Sequence, residues 1–264
     1  MARRQPTTFQ ATPWGWAIGG ALTGLFMAVL LFAPARWVAS TLQDFSNERL
    51  ILLEPRGTLW NGSAQLLLSG GVGSRDASAL PGRVNWQLRP AWDNLSIVLD
   101  ASCCTPQSLQ LQLRPRWAGV QLALTDGQSQ WPGALLAGLG TPWNTVQAEG
   151  VLKLVTQSLS LTLTQGRLAI AGQAQLEALG MSSRLSTLKP MGSYRLTLLG
   201  GTSATFQLST LEGSLQLSGD GLWLGSRLHF QGLASAEPAQ VDALSNLLNI
   251  IGRRDGARSI IKVG

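Results

Sequence analysis

Residues 158–176 read SLSLTLTQGRLAIAGQAQL, and the fold turns on them. Leucine alternates with Ser and Thr in 158–164, and the alternation resumes in 167–176. A period of two places one set of side chains on a buried face and the other on a polar face, which is the mark of a strand. Gln165-Gly166 between the two runs is a turn signal, so the stretch predicts a hairpin. The same rhythm continues on both sides, in VNWQL (84–88), LSIVL (95–99), LQLQL (109–113), VQLAL (120–124), YRLTLL (194–199), TFQLS (205–209) and SLQLS (214–218). Turn residues separate these runs at 69–71, 126–127, 200–201, 212–213 and 219–221. The expectation is an all-β domain: an extended or curved antiparallel sheet of many short strands, with a few short helices.

Composition agrees. The chain has 264 residues, 45% of them hydrophobic and only 13% charged, with 30 Gly and 10 Trp. A soluble globular chain carries about 25% charge, so a β-rich or membrane-linked protein fits better than a charged helical bundle. The strands' polar face is Gln, Ser and Thr rather than Lys and Glu. Sheet edges with so little charge are sticky unless a partner, curvature or a membrane surface covers them. One hexapeptide repeats: QLRPAW at 87–92 returns as QLRPRW at 112–117, each ending a strand with Arg-Pro and a Trp. The net charge of +6 is scattered, with three lysines, and no basic stripe carries interleaved aromatics. This excludes nucleic acid as the natural partner and leaves weak attraction to anionic lipid headgroups.

No charged residue occurs between Arg4 and Arg36. Residues 14–33 are mostly apolar and, at 1.5 Å per residue, span roughly 30 Å of hydrocarbon. Trp14, Trp16 and Trp37 flank them as an aromatic belt does. Arg3 and Arg4 precede the segment and place the N-terminus in the cytoplasm by the positive-inside rule. A cleaved signal peptide is the competing reading, since Ala33-Pro34-Ala35 offers a cleavage site, but the apolar run exceeds the 7–15 residues usual there. The organisation expected is a cytoplasmic tail (1–12), a transmembrane helix (13–36) and a periplasmic β-rich domain (37–264). Residues 34–45 either continue the membrane helix or form a short one, and short helices are expected at 132–139 and 238–251. The last presents Val241, Leu244, Leu248 and Ile251 on one face, with Gly252 as its stop and Arg253 and Arg254 beside its negative end. A final strand is expected at 259–263.

A search for chemistry finds little. The single histidine, His229, lies in an alternating run, the 14 acidic residues are dispersed, and no nucleotide-binding or hydrolase signature is present. The glycine-rich 69–74 reads as a loop. Asn61-Gly62-Ser63 and Asn94-Leu95-Ser96 match a glycosylation pattern too short to weigh. Cys103 and Cys104 are the only cysteines. They leave three options: a strained vicinal disulfide, free buried thiols, or an intermolecular bridge. No enzyme, metal or cofactor is expected.

GTLWNGSA, residues 57–64, follows the apolar segment. Its Asn61-Gly62 pair suits a type I′ hairpin turn. Together with Ala33-Pro34-Ala35, with SRLSTLKPMGSYRL at 183–196 and with the end of the chain from 249 to 264, it resembles the type II secretion system protein N family (general secretion pathway protein N). Met191 stands where that family's pattern has Leu. The resemblance marks Gly57, Trp60, Asn61, Gly62, Pro190, Gly192 and Tyr194 as structural motif residues, with Trp60 either a core anchor or a partner contact. It implies an inner-membrane anchor with a periplasmic β-domain in the machine that exports folded proteins across the outer membrane. Its partners are then other inner-membrane and periplasmic subunits of that machine, and it implies no catalytic residues and no cofactor. A second reading, from another class, is lipid handling: a curved sheet with an apolar concave face, which resembles AsmA-like proteins in this coarse respect, could cradle acyl chains.

Overall fold

The computed structural model describes residues 14–224 and 227–264. The expected tail (1–12) and residue 13 of the expected span lie outside the described residues. Helix α1 (Trp14–Leu31) has 18 residues, mostly apolar and none of them buried, and is about 27 Å long at 1.5 Å per residue. Among the described residues it alone is long and apolar enough to cross a membrane. The chain breaks at Pro34, and α2 (Arg36–Phe45) follows.

Sixteen strands among the described residues form one sheet. They are β1 (Leu50–Gly57), β2 (Asn61–Ser69), β3 (Ala77–Ala79), β4 (Val84–Pro90), β5 (Leu95–Ala101), β6 (Leu109–Arg116), β7 (Gly119–Leu124), β8 (Gly127–Pro132), β9 (Glu149–Thr164), β10 (Arg167–Ser182), β11 (Gly192–Leu199), β12 (Thr205–Gly213), β13 (Leu215–Leu224), β14 (Arg227–Ala236), β15 (Arg253–Asp255) and β16 (Arg258–Val263). The main path runs β1-β2-β4-β5-β6-β7-β9-β10-β11-β12-β13-β14-β16-β15. Neighbours in space are thus mostly neighbours in sequence, as serial hairpins require. β3 adds to β2, and β8 pairs with the first half of β9 while β7 pairs with its second half.

β9 and β10 run 16 residues each, longer than the short strands the pattern suggested. A bulge makes this length usable. Gln157 faces Gln173 and Ser160 faces Ala171, so β9 carries one extra residue at this point. Ser158 there has φ 48° and Gly172 opposite has φ 86°. A Cβ on Gly172 would sit 2.2 Å from the Ser158 carbonyl oxygen, so no larger residue fits. The extra residue switches the alternation phase. Leu152 and Leu154 before it, and Leu161 and Leu163 after it, therefore point to the same face.

That face is concave. Flat, β9 and β16 would lie six strand spacings apart, about 29 Å, yet Leu152 and Ile261 line the same cavity. A second row of irregularities crosses β9 to β12 through Gly150, Gly180, Gly192 and Gly213, where the registers shift. Backbone lies on backbone along it: a Cβ on Gly213 would meet the Gly192 Cα at 2.2 Å. Helix α3 (Trp143–Val146) is a single turn, and helix α4 (Val241–Ile251) fills one end of the trough with Leu244, Leu247 and Leu248, all buried. Two smaller clusters back the N-terminal half: Ala35, Ala64 and Trp86, and Leu80, Ala101, Cys104 and Leu135.

Two details differ from the sequence-based expectation. Gly252 ends α4 with φ −169°, an extended conformation any residue adopts; what favours glycine is the Ile260 carbonyl oxygen, 2.6 Å from where a Cβ would be. Arg253 and Arg254 then belong to β15, in a terminal hairpin with β16, and do not cap the helix. The short helix expected at 132–139 is present as a 3-10 helix, Gly133–Leu139.

Candidate functional site

Three places stand out, and two of them contain the stretches that carried the family resemblance. The first is a joint between α1 and the sheet. The turn that closes β1 onto β2 is Thr58–Trp60, with the Thr58 amide donating to the Asn61 carbonyl at 2.9 Å. Asn61-Gly62 is not the turn itself. Gly62 lies inside β2 opposite Gly57, and its φ is not positive. What demands glycine is contact, since a Cβ on Gly62 would sit 2.4 Å from the Trp86 ring. Trp86 is buried there and donates its indole N–H to the Leu59 carbonyl at 3.1 Å. The turn also holds the end of the apolar helix. The Leu59 amide donates to the Ala33 carbonyl at 2.7 Å and the Ala35 amide to the Gly57 carbonyl at 3.1 Å. Trp60 is half-buried, and its indole N–H donates to the Leu30 carbonyl at 2.7 Å. The last carbonyls of a helix have no partner within it, so Trp60 caps α1.

The second place is a latch at the opposite end of the strands. The Ser183 hydroxyl accepts the Leu185 amide and donates to the Val146 carbonyl, 37 residues away. The Ser186 hydroxyl accepts the Leu188 amide at 3.1 Å and donates to the Ala243 carbonyl of α4 at 2.9 Å. Pro190 follows a cis peptide bond, and Met191 enters the core. At Gly192 a Cβ would meet the Glu212 carbonyl at 2.6 Å and the Tyr194 hydroxyl at 2.8 Å, so the ring of Tyr194 folds back over glycine. Ser193 accepts the Gly180 amide at 3.1 Å and donates to Glu212 at 3.0 Å. Residues 183–194 thus tie two sheet strands, α4 and the 133–148 segment into one closed end.

The third place is the trough itself, an apolar cavity of about 970 Å³. Leu176, Leu196, Phe206, Leu208, Leu217 and Phe230 project into it from successive strands. Tyr194 also lines it, and its hydroxyl has no hydrogen-bond partner among the described residues. Burial raises its pKa above the ordinary phenol value, so it stays neutral. On the convex face Glu177 accepts from Arg195 at 2.8 and 3.2 Å and from Gln175 at 2.8 Å, with Lys153 at 3.7 Å. The hydrogen bonds from Arg195, above all, hold its carboxyl below the usual value.

The remaining candidates do not converge. His229 is exposed on β14, and among the described residues no three His, Cys, Asp or Glu side chains could hold a metal. Cys103 and Cys104 are joined by a disulfide in the turn after β5. Cys104 is buried against Leu80 and Leu135 while Cys103 is exposed. Sequence reasoning had missed Trp86 and the two latching serines. Their partners lie 27, 37 and 57 residues away, beyond any local pattern.

The fold and these sites define a class: a β-sheet trough joined to one apolar helix. The profile of the family described as type II secretion system (T2SS), protein N matches residues 48–261. The chain belongs to that family, and with it to the components of type II secretion. Searches of curated proteins and of solved structures give no significant match.

Proposed function

We propose that the protein is a non-enzymatic, single-pass inner-membrane component of the type II secretion system that supports export of folded proteins through protein–protein contacts. In this reading 1–12 is a cytoplasmic tail, 13–36 spans the membrane and 37–264 is periplasmic. The observation that carries it is the pairing of a family match over the whole sheet with an exposed apolar helix, clasped to that sheet at Trp60. Partner subunits are the other inner-membrane and periplasmic components. A sparsely charged sheet whose path ends in the edge strands β1 and β15 suits partners that add a strand of their own. The test is the secretome of a strain lacking the gene. Folded cargo should accumulate in the periplasm and return to the medium on complementation. Unchanged export in the deletion strain refutes the reading.

The cavity favours a second reading, binding of an acyl chain. Its volume falls at the upper end of the roughly 300–1,000 Å³ of ligand sites, and its walls are almost wholly apolar. Native mass spectrometry of the protein released from native membrane checks it: a retained phospholipid supports it, and a ligand-free species sinks it.

A further inference from the structure

The two copies of the hexapeptide repeat end in the same place. Pro90 closes β4 and Arg116 closes β6, and each is followed by a hairpin tip carrying a tryptophan. Because the sheet is an antiparallel meander, β4 and β6 run in the same direction and both tips point to one rim. The tip between β9 and β10 joins them, since Thr164 lies beside Gly119. The turn holding Trp60 belongs to this rim too, because Asn61 pairs with Gln87 near the end of β4. Trp60 is hydrogen-bonded to the last turn of α1, so the rim begins where the apolar helix ends.

Its surface is unusual. Trp92 and Trp117 are each 106% exposed, as open as an unfolded residue. A large aromatic leaves water when it can, and here two stand free, 25 residues apart in the chain. Around them, the turns at 89–95, 114–119 and 164–168 hold four arginines and one carboxylate, Asp93. Arg89 and Arg116 are exposed and bond only neutral amides, Gln87 and Gln121. Arg167 is exposed as well. None of these three is in an ion pair among the described residues. The opposite rim carries both signs, among them Arg184, Lys189, Glu149 and Glu237.

We propose that this rim rests on the bilayer surface from which α1 emerges, with Trp92 and Trp117 seated at the headgroup level and Arg89, Arg116 and Arg167 against anionic phospholipid. Tryptophan prefers that depth because one end of its ring is apolar and the other donates a hydrogen bond. Arginine near an anionic leaflet is drawn to the headgroup phosphates. The rim contacts then hold the strands in a fixed attitude to the membrane, and the latched end of the trough faces away from it. A second copy or a partner subunit seated on the same tryptophans is the rival occupant, and the test separates it.

The inference rests on α1 lying in a bilayer, and the experiment examines that step separately. The full chain, labelled with fluorotryptophan, is placed in nanodiscs of phosphatidylethanolamine and phosphatidylglycerol. Fluorine resonances are assigned with Trp16→Phe, Trp92→Phe and Trp117→Phe. Relaxation is measured with a lipid bearing a nitroxide near its headgroup and, in parallel, with a water-soluble gadolinium chelate. Trp92 and Trp117 are expected to relax several-fold faster with the lipid nitroxide than with the chelate. Replacing phosphatidylglycerol with phosphatidylcholine should shrink that difference, as should the triple variant Arg89→Gln, Arg116→Gln, Arg167→Gln. Faster relaxation by the chelate overturns the proposal while a lipid-exposed Trp16 leaves the anchor standing. Protection of Trp92 and Trp117 from both agents overturns it too, in favour of a protein occupant. A Trp16 open to the chelate removes the anchor and the proposal together.

Discussion

Replacing Gly62 by alanine tests whether the 57–64 stretch is required for packing rather than for turning. The new Cβ would lie 2.4 and 2.7 Å from two atoms of the Trp86 ring and 2.8 Å from the Arg56 carbonyl oxygen. The carbonyl belongs to the paired strand β1 and cannot swing away, so the indole must move. Trp86 is 3% exposed and packed against Ala35 and Ala64, which leaves it little room. Overpacking of this kind costs about 1–3 kcal/mol. Loss of the indole bond to the Leu59 carbonyl adds about 1 kcal/mol. Gly62→Ala should therefore destabilise the protein by about 2–4 kcal/mol, read as a lower urea midpoint for the full chain in micelles. Trp86→Leu alone should also destabilise, because it empties a buried site. In combination with Gly62→Ala it should cost less than the sum, with a coupling of at least about 1 kcal/mol. A Gly62→Ala midpoint shift worth under about 0.5 kcal/mol, or strict additivity, would refute the contact argument. A type I′ turn would predict the same loss for Gly62→Ala, but no coupling to Trp86.

Three further outcomes follow from the latch, the cavity and the convex face. Ser186→Ala removes the bond to the Ala243 carbonyl and should cost about 1–3 kcal/mol, with faster hydrogen exchange in α4 and none in β1–β2; uniform exchange rates would show that the latch is not local. Tyr194→Phe deletes an unpaired buried hydroxyl and should stabilise the chain by about 1 kcal/mol; a loss of stability would mean that the hydroxyl has a partner. Glu177 has a depressed folded-state pKa, so its contribution is complete above the unfolded value of about 4.5 and is lost as pH falls through the lower folded value. Urea midpoints should drop more steeply with acid in the wild type than in Glu177→Gln, and parallel curves would contradict the assignment.

The motif positions gain a physical meaning from their surroundings. Gly57, Trp60, Asn61 and Gly62 sit where the apolar helix meets the sheet, and Pro190, Gly192 and Tyr194 sit where the other end is latched. Both groups hold elements that are far apart in sequence.

Much of the molecule was legible in the sequence because its determinants are local. Alternation in runs such as 109–113 and 214–218 marks strands, since side-chain direction in a strand repeats every two residues. An uncharged run of apolar residues marks α1, since its length and composition match the hydrocarbon thickness of a bilayer. The order of short motifs identified the family. The tertiary structure decided the rest. Leu152 and Leu161 have opposite parity, and only the bulge at Ser158 brings them to one face. Gly62 reads as a turn residue until Trp86, 24 positions on by their numbers, is laid across it. Ser183 and Ser186 look like ordinary loop serines until folding brings Val146 and Ala243 within reach. The trough exists because strands distant in the chain curve round to face one another. Curvature depends on bulges, close backbone contacts and a helix that fills one end, and these are properties of strands in register rather than of any single stretch.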